Sequence, residues 1–378
     1  MKILHICNDF CGSKVHANLY AELDKHGLQQ TIYSYFCDAS LEGENKFEAK
    51  NTTFLYRRIL NKLHRLLFHK KVHDVYADLK SILSADISSY DLIHATTLFS
   101  DGALALRLYK EYRIPFVVTV RSTDVNEFLG YAPHTWLMGL EVLKEARRII
   151  FISKALENKF CRHPLIKRYL NRIQNKFVIQ PNGVDSFWLD HLKEEPALEN
   201  RHVIYVGRFD RNKNVLRLCN SILELRDVFP DIQLHLVGGG GSKESAVLRM
   251  VHQYPDTITY HGKISDKAVL KDVYSKSSVF AMPSYHETFG LVYLEALSQH
   301  LALVYTKNQG VDGMLDKRVG ESVKASSKAD IKRALRKIFL HRSDYLAKEV
   351  VDFSQFSWEA IASRYVNIYD GILAESGK

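Results

Sequence analysis

At 378 residues the chain is long enough for roughly two to three domains, and its 46% hydrophobic and 25% charged residues are ordinary for a globular protein. No apolar run approaches the roughly 18 residues needed to cross a bilayer, and five scattered cysteines (Cys7, Cys11, Cys37, Cys161, Cys219) argue against a disulfide framework and for buried free thiols in a reducing cytosol. The formal net charge of +9, from 52 Lys and Arg against 43 Asp and Glu, calls for an anionic partner such as nucleic acid, a phosphorylated substrate or a membrane surface.

Along the chain, "MKILHIC" opens as a strand rather than a signal peptide. "SKVHANLYAELDKHG" follows as an amphipathic helix that stops on Lys25, His26 and Gly27. "TIYSYF", "DLIHAT", "PFVVTV", "RIIFIS" and "FVIQ" continue the strands of a first half. Two basic runs lie among them: residues 56–71, with Arg57, Arg58, Lys62, Arg65, Lys70 and Lys71 and no acid, and residues 158–177. The first of these is expected to be a helix carrying Ile59, Leu60, Leu63, Leu66, Leu67 and Phe68 beside its cations.

A polar, acidic stretch at 184–200, with Pro196, marks the seam. Beyond it come "HVIYVG", the helix "NVLRLCNSILELRDVF", and then "QLHLVG", "ITYHG", "VFAMP" and "LALVYT". Strands apolar on both faces, alternating with helices, predict parallel doubly wound α/β sheets, and eleven strands are many for one sheet. The expected domains are 1–190, 200–355 and a terminal segment 356–378. In that segment Trp358, Ile361, Tyr365, Ile368 and Tyr369 recur at helical spacing and must lie against another surface.

Candidate chemistry collects at strand ends, where such sheets bind ligands. Gly207 closes one strand and is followed by Arg208 and Lys213: either a grip for a diphosphate or a solvated basic turn. In "MPSYHETFGLVYLEAL" a helix opens near Gly290, whose first amides and positive dipole end suit an anion. Eight helical residues span about 12 Å, so Glu287 and Glu295 cannot share one atom or one metal. They suit two ends of an extended polar molecule with hydroxyls at both ends and phosphates between, such as a sugar nucleotide. Gly12 follows the first strand without a GxGxxG fingerprint. "VGGGGSKES" (237–245) reads more as a flexible connector than as a phosphate site. Arg121, Ser122, Thr123, Asp124 and Asn126 bunch after "VVTV" as either a substrate shelf or a capped helix start. No Walker, CxxC, HExxH or DxD motif occurs, and no nucleic-acid recognition motif accompanies the positive charge.

Together, the Gly12 loop, "ISKAL" (152–156), "QPNGVD" (180–185), "VGRFDRNKN" (206–214), the Glu287-x7-Glu295 pair and the closing "FSWEAIASRY" resemble the retaining GT-B glycosyltransferases of glycosyltransferase family 4, of the kind that build bacterial polysaccharides and glycans. The resemblance covers nearly the whole chain. It implies two Rossmann-like domains facing across a cleft, with the C-terminal helix crossing back to the first. It further implies that Gly207, Arg208 and Lys213 hold a donor diphosphate and that Glu295 holds ribose hydroxyls. Glu287 would touch the donor sugar beside the amides of Thr288, Phe289, Gly290 and Leu291, with Gly12 approaching from the other domain. Many relatives carry histidine where Arg121 stands, and "NQGVDG" (308–313) replaces a glycine-rich donor loop, with Asp312 either on a sugar or in a turn.

The activity implied by the resemblance is that of an enzyme: a metal-independent hexosyltransferase with a UDP-linked donor and a saccharide acceptor, lipid-linked if the 56–71 segment binds an anionic membrane. Arg121 and Asp124 would join Glu287, Arg208 and Lys213 in catalysis. The expected location is cytoplasmic or peripheral on the inner membrane face, with no cofactor and no nucleic acid. A nucleotide-sugar epimerase of the same fold and a non-catalytic saccharide-binding protein are the alternatives.

Overall fold

The computed structural model describes residues 1–84, 86–194, 200–345 and 350–375, without the side chain of Arg65. Its described residues build two parallel sheets. The first holds β1 (Lys2–Ile6), β2 (Gln29–Phe36), β3 (Thr52–Arg58), β4 (Leu92–Ala95), β5 (Phe116–Val120), β6 (Arg148–Phe151) and β7 (Phe177–Ile179). Their spatial order is β3-β2-β1-β4-β5-β6-β7. The second holds β8 (His202–Gly207), β9 (Gln233–Gly238), β10 (Ile258–Tyr260), β11 (Val279–Ala281), β12 (Ala302–Thr306) and β13 (Gly320–Val323), in the order β10-β9-β8-β11-β12-β13. In each sheet the order reverses direction beside its first strand, between β1 and β4 and between β8 and β11. That reversal is the signature of doubly wound sheets.

β4, β5, β11 and β12 are buried along their full length, because helices cover both faces of a parallel sheet. All eleven strands expected from apolar runs are present, and β3 and β13 are additional. β3 corrects the reading of residues 56–71 as a helix. Tyr56–Arg58 finish a strand, Lys62–Arg65 form a 3-10 turn capped by Asn61, and an α-helix begins only at Phe68. β3 pairs along one edge only, with β2, so its sequence carries charges that a central strand would exclude.

The chain divides into two units: 1–152, 156–183 and 358–378 form the first, and 153–155 with 184–357 the second. Of the seam stretch, 184–194 belong to the second unit: Val184 joins its core, and Trp188 packs edge-on against Tyr274 with ring centroids 5.5 Å apart. Residues 195–199, with Pro196, lie outside the described residues. Cys7, Cys11 and Cys219 are buried, whereas Cys37 is exposed and Cys161 half-buried, so burial accounts for only part of the cysteine set.

The helix Trp358–Glu375 closes the first unit by burying Ile361, Ala362, Tyr365, Tyr369 and Ile372 against the helix Lys14–Lys25 and the β1 face. Its interface is not purely apolar. The Tyr369 hydroxyl meets His94 Nδ1 at 2.8 Å, and His94 Nε2 meets Thr119 Oγ1 at 3.0 Å. Burial drives the His94 pKa well down, so the ring is neutral and both nitrogens are used. Tyr369→Phe leaves one imidazole nitrogen of a buried ring unpaired, at about 1–3 kcal/mol. The unfolding transition of the first unit should therefore move to lower temperature, and thermal denaturation followed by circular dichroism checks this.

Candidate active site

At the carboxyl end of β8, Gly207 gives way to a loop, 208–214, that is held on every side. The Tyr205 hydroxyl donates to the Arg208 carbonyl (2.7 Å), the Phe209 amide to the Gly240 carbonyl (2.9 Å) and the Lys243 amide back to the Phe209 carbonyl (2.8 Å). The glycine-rich turn after β9, expected to be a flexible connector, is thus a brace. Its Gly240 amide is also fixed on Glu244 Oε1 at 2.7 Å.

At the end of the neighbouring strand β11 lies the second loop, 282–290. Two asparagines tie the loops together. Asn212 donates to the His286 carbonyl and accepts from the His286 amide, both at 2.9 Å. Asn214, buried and left-handed at φ 60°, donates to the carbonyls of Pro283 (3.0 Å) and Ala325 (2.8 Å). Between them stands Lys213, whose amide donates to Asp210 Oδ1 at 2.8 Å and whose ammonium meets Glu287 Oε2 at 2.6 Å. The pair is largely out of water, with side chains 25% and 11% exposed, so its attraction is screened less than that of a surface pair.

Glu287 is fixed through its backbone as well. Its amide donates to Gln309 Oε1 (3.2 Å), its carbonyl accepts from the Gly310 amide (2.9 Å), and Oε1 accepts from the Thr288 amide (3.2 Å). Gly290 (φ 83°) and Gly310 (φ 53°) are left-handed, and a Cβ on either would stand 3.2 Å and 3.0 Å from Glu287 Cγ. Both glycines are therefore required by backbone conformation and by close neighbours, since a Cβ would meet the Tyr293 ring at 2.6 Å from Gly290 and the Phe289 carbonyl oxygen at 2.9 Å from Gly310. Asp312 is in a turn: its Oδ2 accepts from the Asn308 amide at 2.5 Å.

Gly290 is the N-cap of the helix Leu291–Ser298, with no side-chain cap and no acid in the first turn, so the helix dipole end carries no anion of its own. The loop before it is held from Ser153, whose hydroxyl donates to the Thr288 carbonyl at 2.6 Å. Phe289 is buried, and Leu291 is half-buried at the first helical position. One helical turn further, Glu295 is half-buried, and desolvation pushes its carboxyl up to about 7. Nearby Asp185 adds to that rise, while the Tyr274 hydroxyl and Lys267 oppose it. Lys267 itself is paired with Asp185 at 2.5 Å. Arg208 stays in solvent, 73% exposed, with its Nε 3.9 Å from Asp210. The sites named from sequence in this unit therefore gather at one switch point. Lys213 meets Glu287, Gly290 lies beside Glu287, and Arg208 is at the rim.

In the first unit, Gly12 lies exposed in the turn after β1, its amide donating to the Asp9 carbonyl at 3.1 Å. Burial raises the Asp9 pKa, and Arg121 counteracts the rise. Arg121 follows β5 and donates from Nε to the Thr96 carbonyl at 3.3 Å. Asp124, expected on a substrate shelf, is only 1% exposed, and its oxygens accept from the amides of Leu98 (3.0 Å), Phe99 (3.2 Å) and Arg121 (2.8 Å). Its three backbone partners hold the turns after β4 and β5, and the helical segment Asp124–Phe128 carries no side-chain cap. Its desolvated carboxyl is pushed up to about 6.

Asn212, Asn214, Gln309 and Ser153 lie within motifs quoted above but are given no individual role there. The two asparagines flanking Lys213 were the available signal, since a carboxamide both donates to and accepts from a neighbouring backbone. The raised Glu295 pKa carries a sign. The folded state binds that proton more tightly than the unfolded chain, so the group's contribution to stability is full below about 4.5 and is lost as pH rises through about 7. Glu295→Gln should therefore melt above the parent near pH 8, with the difference vanishing towards pH 4.5, in calorimetric scans across that range.

The family model described as Glycosyltransferase Family 4 matches residues 12–186, and that described as Glycosyl transferases group 1 matches 186–352. A D-inositol 3-phosphate glycosyltransferase of Corynebacterium aurimucosum is 26% identical over 313 residues, 74% of this chain and 71% of that protein. Among solved structures, sucrose-phosphate synthase from Thermosynechococcus elongatus superposes with a TM-score of 0.74 at 22% identity, covering 99% of this chain and 100% of that one. Anabaena Alr3699/HepE in complex with UDP gives 0.72 at 14% identity, covering 98% and 100%. With two Rossmann-like sheets, two family models that divide the chain between them and neighbours of the same fold, the chain belongs to the GT-B glycosyltransferases of family 4.

Proposed function

We propose that this glycosyltransferase moves a hexose from a UDP-linked donor to a lipid-linked saccharide, with retention at the anomeric carbon and without a metal, during assembly of a surface polysaccharide or cell-envelope glycan. The observation that carries the reading is the Lys213–Glu287 contact of 2.6 Å beside the uncapped Gly290 helix end. It puts a cation, an anion and a set of oriented amides at one strand-order reversal, which suits a molecule carrying both hydroxyls and phosphates. The UDP complex of the similarly folded Anabaena protein supports uridine as the base.

In this scheme Glu287 accepts from donor-sugar hydroxyls, and Lys213 holds its carboxylate in place while facing the diphosphate. Arg208, free to swing in from the rim, and the amides of Thr288 to Leu291 take up charge on the departing diphosphate as the bond from the anomeric carbon to oxygen breaks. The acceptor oxygen bonds to that carbon from the same face, and its proton passes to the leaving phosphate oxygen. Glu295 accepts from the ribose hydroxyls. In the first unit, Arg121 is assigned to substrate, Asp124 to holding the Arg121 turn, and Gly12 to close backbone approach.

The lipid-linked acceptor draws support from one surface of the first unit. Leu63, Leu66 and Leu67 are 59%, 80% and 50% exposed, with the exposed cations Lys62 and Lys70 beside them. The rings of His69 and His134 are 6.1 Å apart and bring this segment next to exposed Tyr131 and Leu137. Apolar side chains rimmed by Lys suit an anionic bilayer surface. No helix among the described residues is long and apolar enough to cross a membrane.

Glu287→Ala should lower transfer from UDP-sugar by at least ~100-fold, the range seen on removing one stabilising contact, with the melting profile retained. Near-parental turnover would sink the assignment, and an epimerised sugar from donor alone would favour the epimerase. Leu66→Ser/Leu67→Ser should lose flotation with vesicles containing anionic phosphatidylglycerol. If the parent partitions equally with purely zwitterionic vesicles, the membrane reading falls.

A further inference from the structure

A cavity of about 460 Å³ opens in the second unit beside the 208–214 loop; it shares Asp210 and Asn214 with the framework of that loop, and its other lining residues are ones the glycosyl-transfer scheme does not use. Its wall carries Arg211, Arg217, Lys243 and Lys328 against a single carboxylate, Asp210, with Tyr285 and Asn220 as neutral polar groups. Lys213 and Glu287 are not among the residues lining it.

The four cations are not equivalent. Lys328 is paired with Glu224. Arg217 is a fixed strut that donates to the Ser326 carbonyl and, at 3.1 Å, to the Tyr285 hydroxyl, which leaves its buried Nε–H without a protein acceptor. Arg211 is exposed and Lys243 half-buried, and both line the same space. The eleven-residue helix Val215–Leu225 also begins at the cavity. It has no side-chain cap and no acid in its first turn, so its dipole end adds to the positive field.

We propose that this cavity is a second anion site, separate from the donor site, for a small phosphate-bearing metabolite such as a phosphorylated sugar. The volume is that of a small-molecule pocket and larger than a bare phosphate needs. Three cations beyond the Glu224-paired lysine suit a dianionic phosphomonoester, and Tyr285 and Asn220 suit hydroxyls on the carbon portion.

The test uses the full chain with ribose 5-phosphate as the probe, titrated by calorimetry with the donor site first saturated by UDP. Binding should persist under UDP and weaken more than tenfold in Arg211→Gln/Lys243→Gln, a pair chosen because neither residue belongs to the donor machinery. Circular dichroism confirms that the variant folds, and Glu287→Gln should bind the probe as the parent does. Loss of the signal under saturating UDP, or equal affinity in the double variant, overturns the site. If UDP itself fails to bind while the probe remains sensitive to the double variant, the donor assignment falls and the second site stands.

Discussion

The reversal of strand order between β8 and β11 is the constraint on which the second unit's chemistry depends. In a parallel sheet every connection leaves from the carboxyl end, and at the reversal two neighbouring loops part to opposite faces. Here those loops are 208–214 and 282–290, and the gap between them is bridged by the side chains of Asn212 and Asn214 and by the Tyr285 amide donating to the Asn212 carbonyl. The bridging asparagines set where Lys213 points, and Lys213 sets the orientation of Glu287. The reversal supplies a place where residues from separate chain segments, Lys213 and Glu287 among them, meet.

Both units place carboxylates where burial works against ionisation, and the compensation differs in each. Asp124 has three backbone amides, and Asp101 takes hydrogen bonds from Tyr35 and Thr96, yet desolvation still pushes both up to about 6. Glu295 has fewer partners and rises to about 7. Asp124 is consumed in holding backbone turns and Asp101 in holding two hydroxyls. The under-bonded carboxylate is the one with capacity left for donors from a bound molecule.

Residues 56–71 show how local reading fails. As a string they carry cations without acids, and hydrophobic residues at helix-like intervals. In the fold, Arg57 is paired with Asp78 at 2.7 Å, His64 and Lys70 share Asp74, and Lys71 donates to Ser100 at 2.9 Å. Much of the missing negative charge comes from the following helix, and the first residues of the run are an edge strand. Edge strands tolerate charge on the exposed side, so their sequences lose the apolar signature that revealed the other strands.

The chain by itself determined the doubly wound α/β class, eleven of the strands, the amphipathic closing helix and the strand-end placement of Arg208, Lys213, Glu287, Gly290 and Glu295. These depend on apolar periodicity and on residues adjacent in sequence. Tertiary structure alone decided that Lys213 meets Glu287 across 74 positions, that Asp124 is spent on backbone amides and that Glu295 is desolvated. Hydrogen-bond partners and local dielectric are properties of neighbours in space, and the strand-order reversal brings those neighbours from distant parts of the chain.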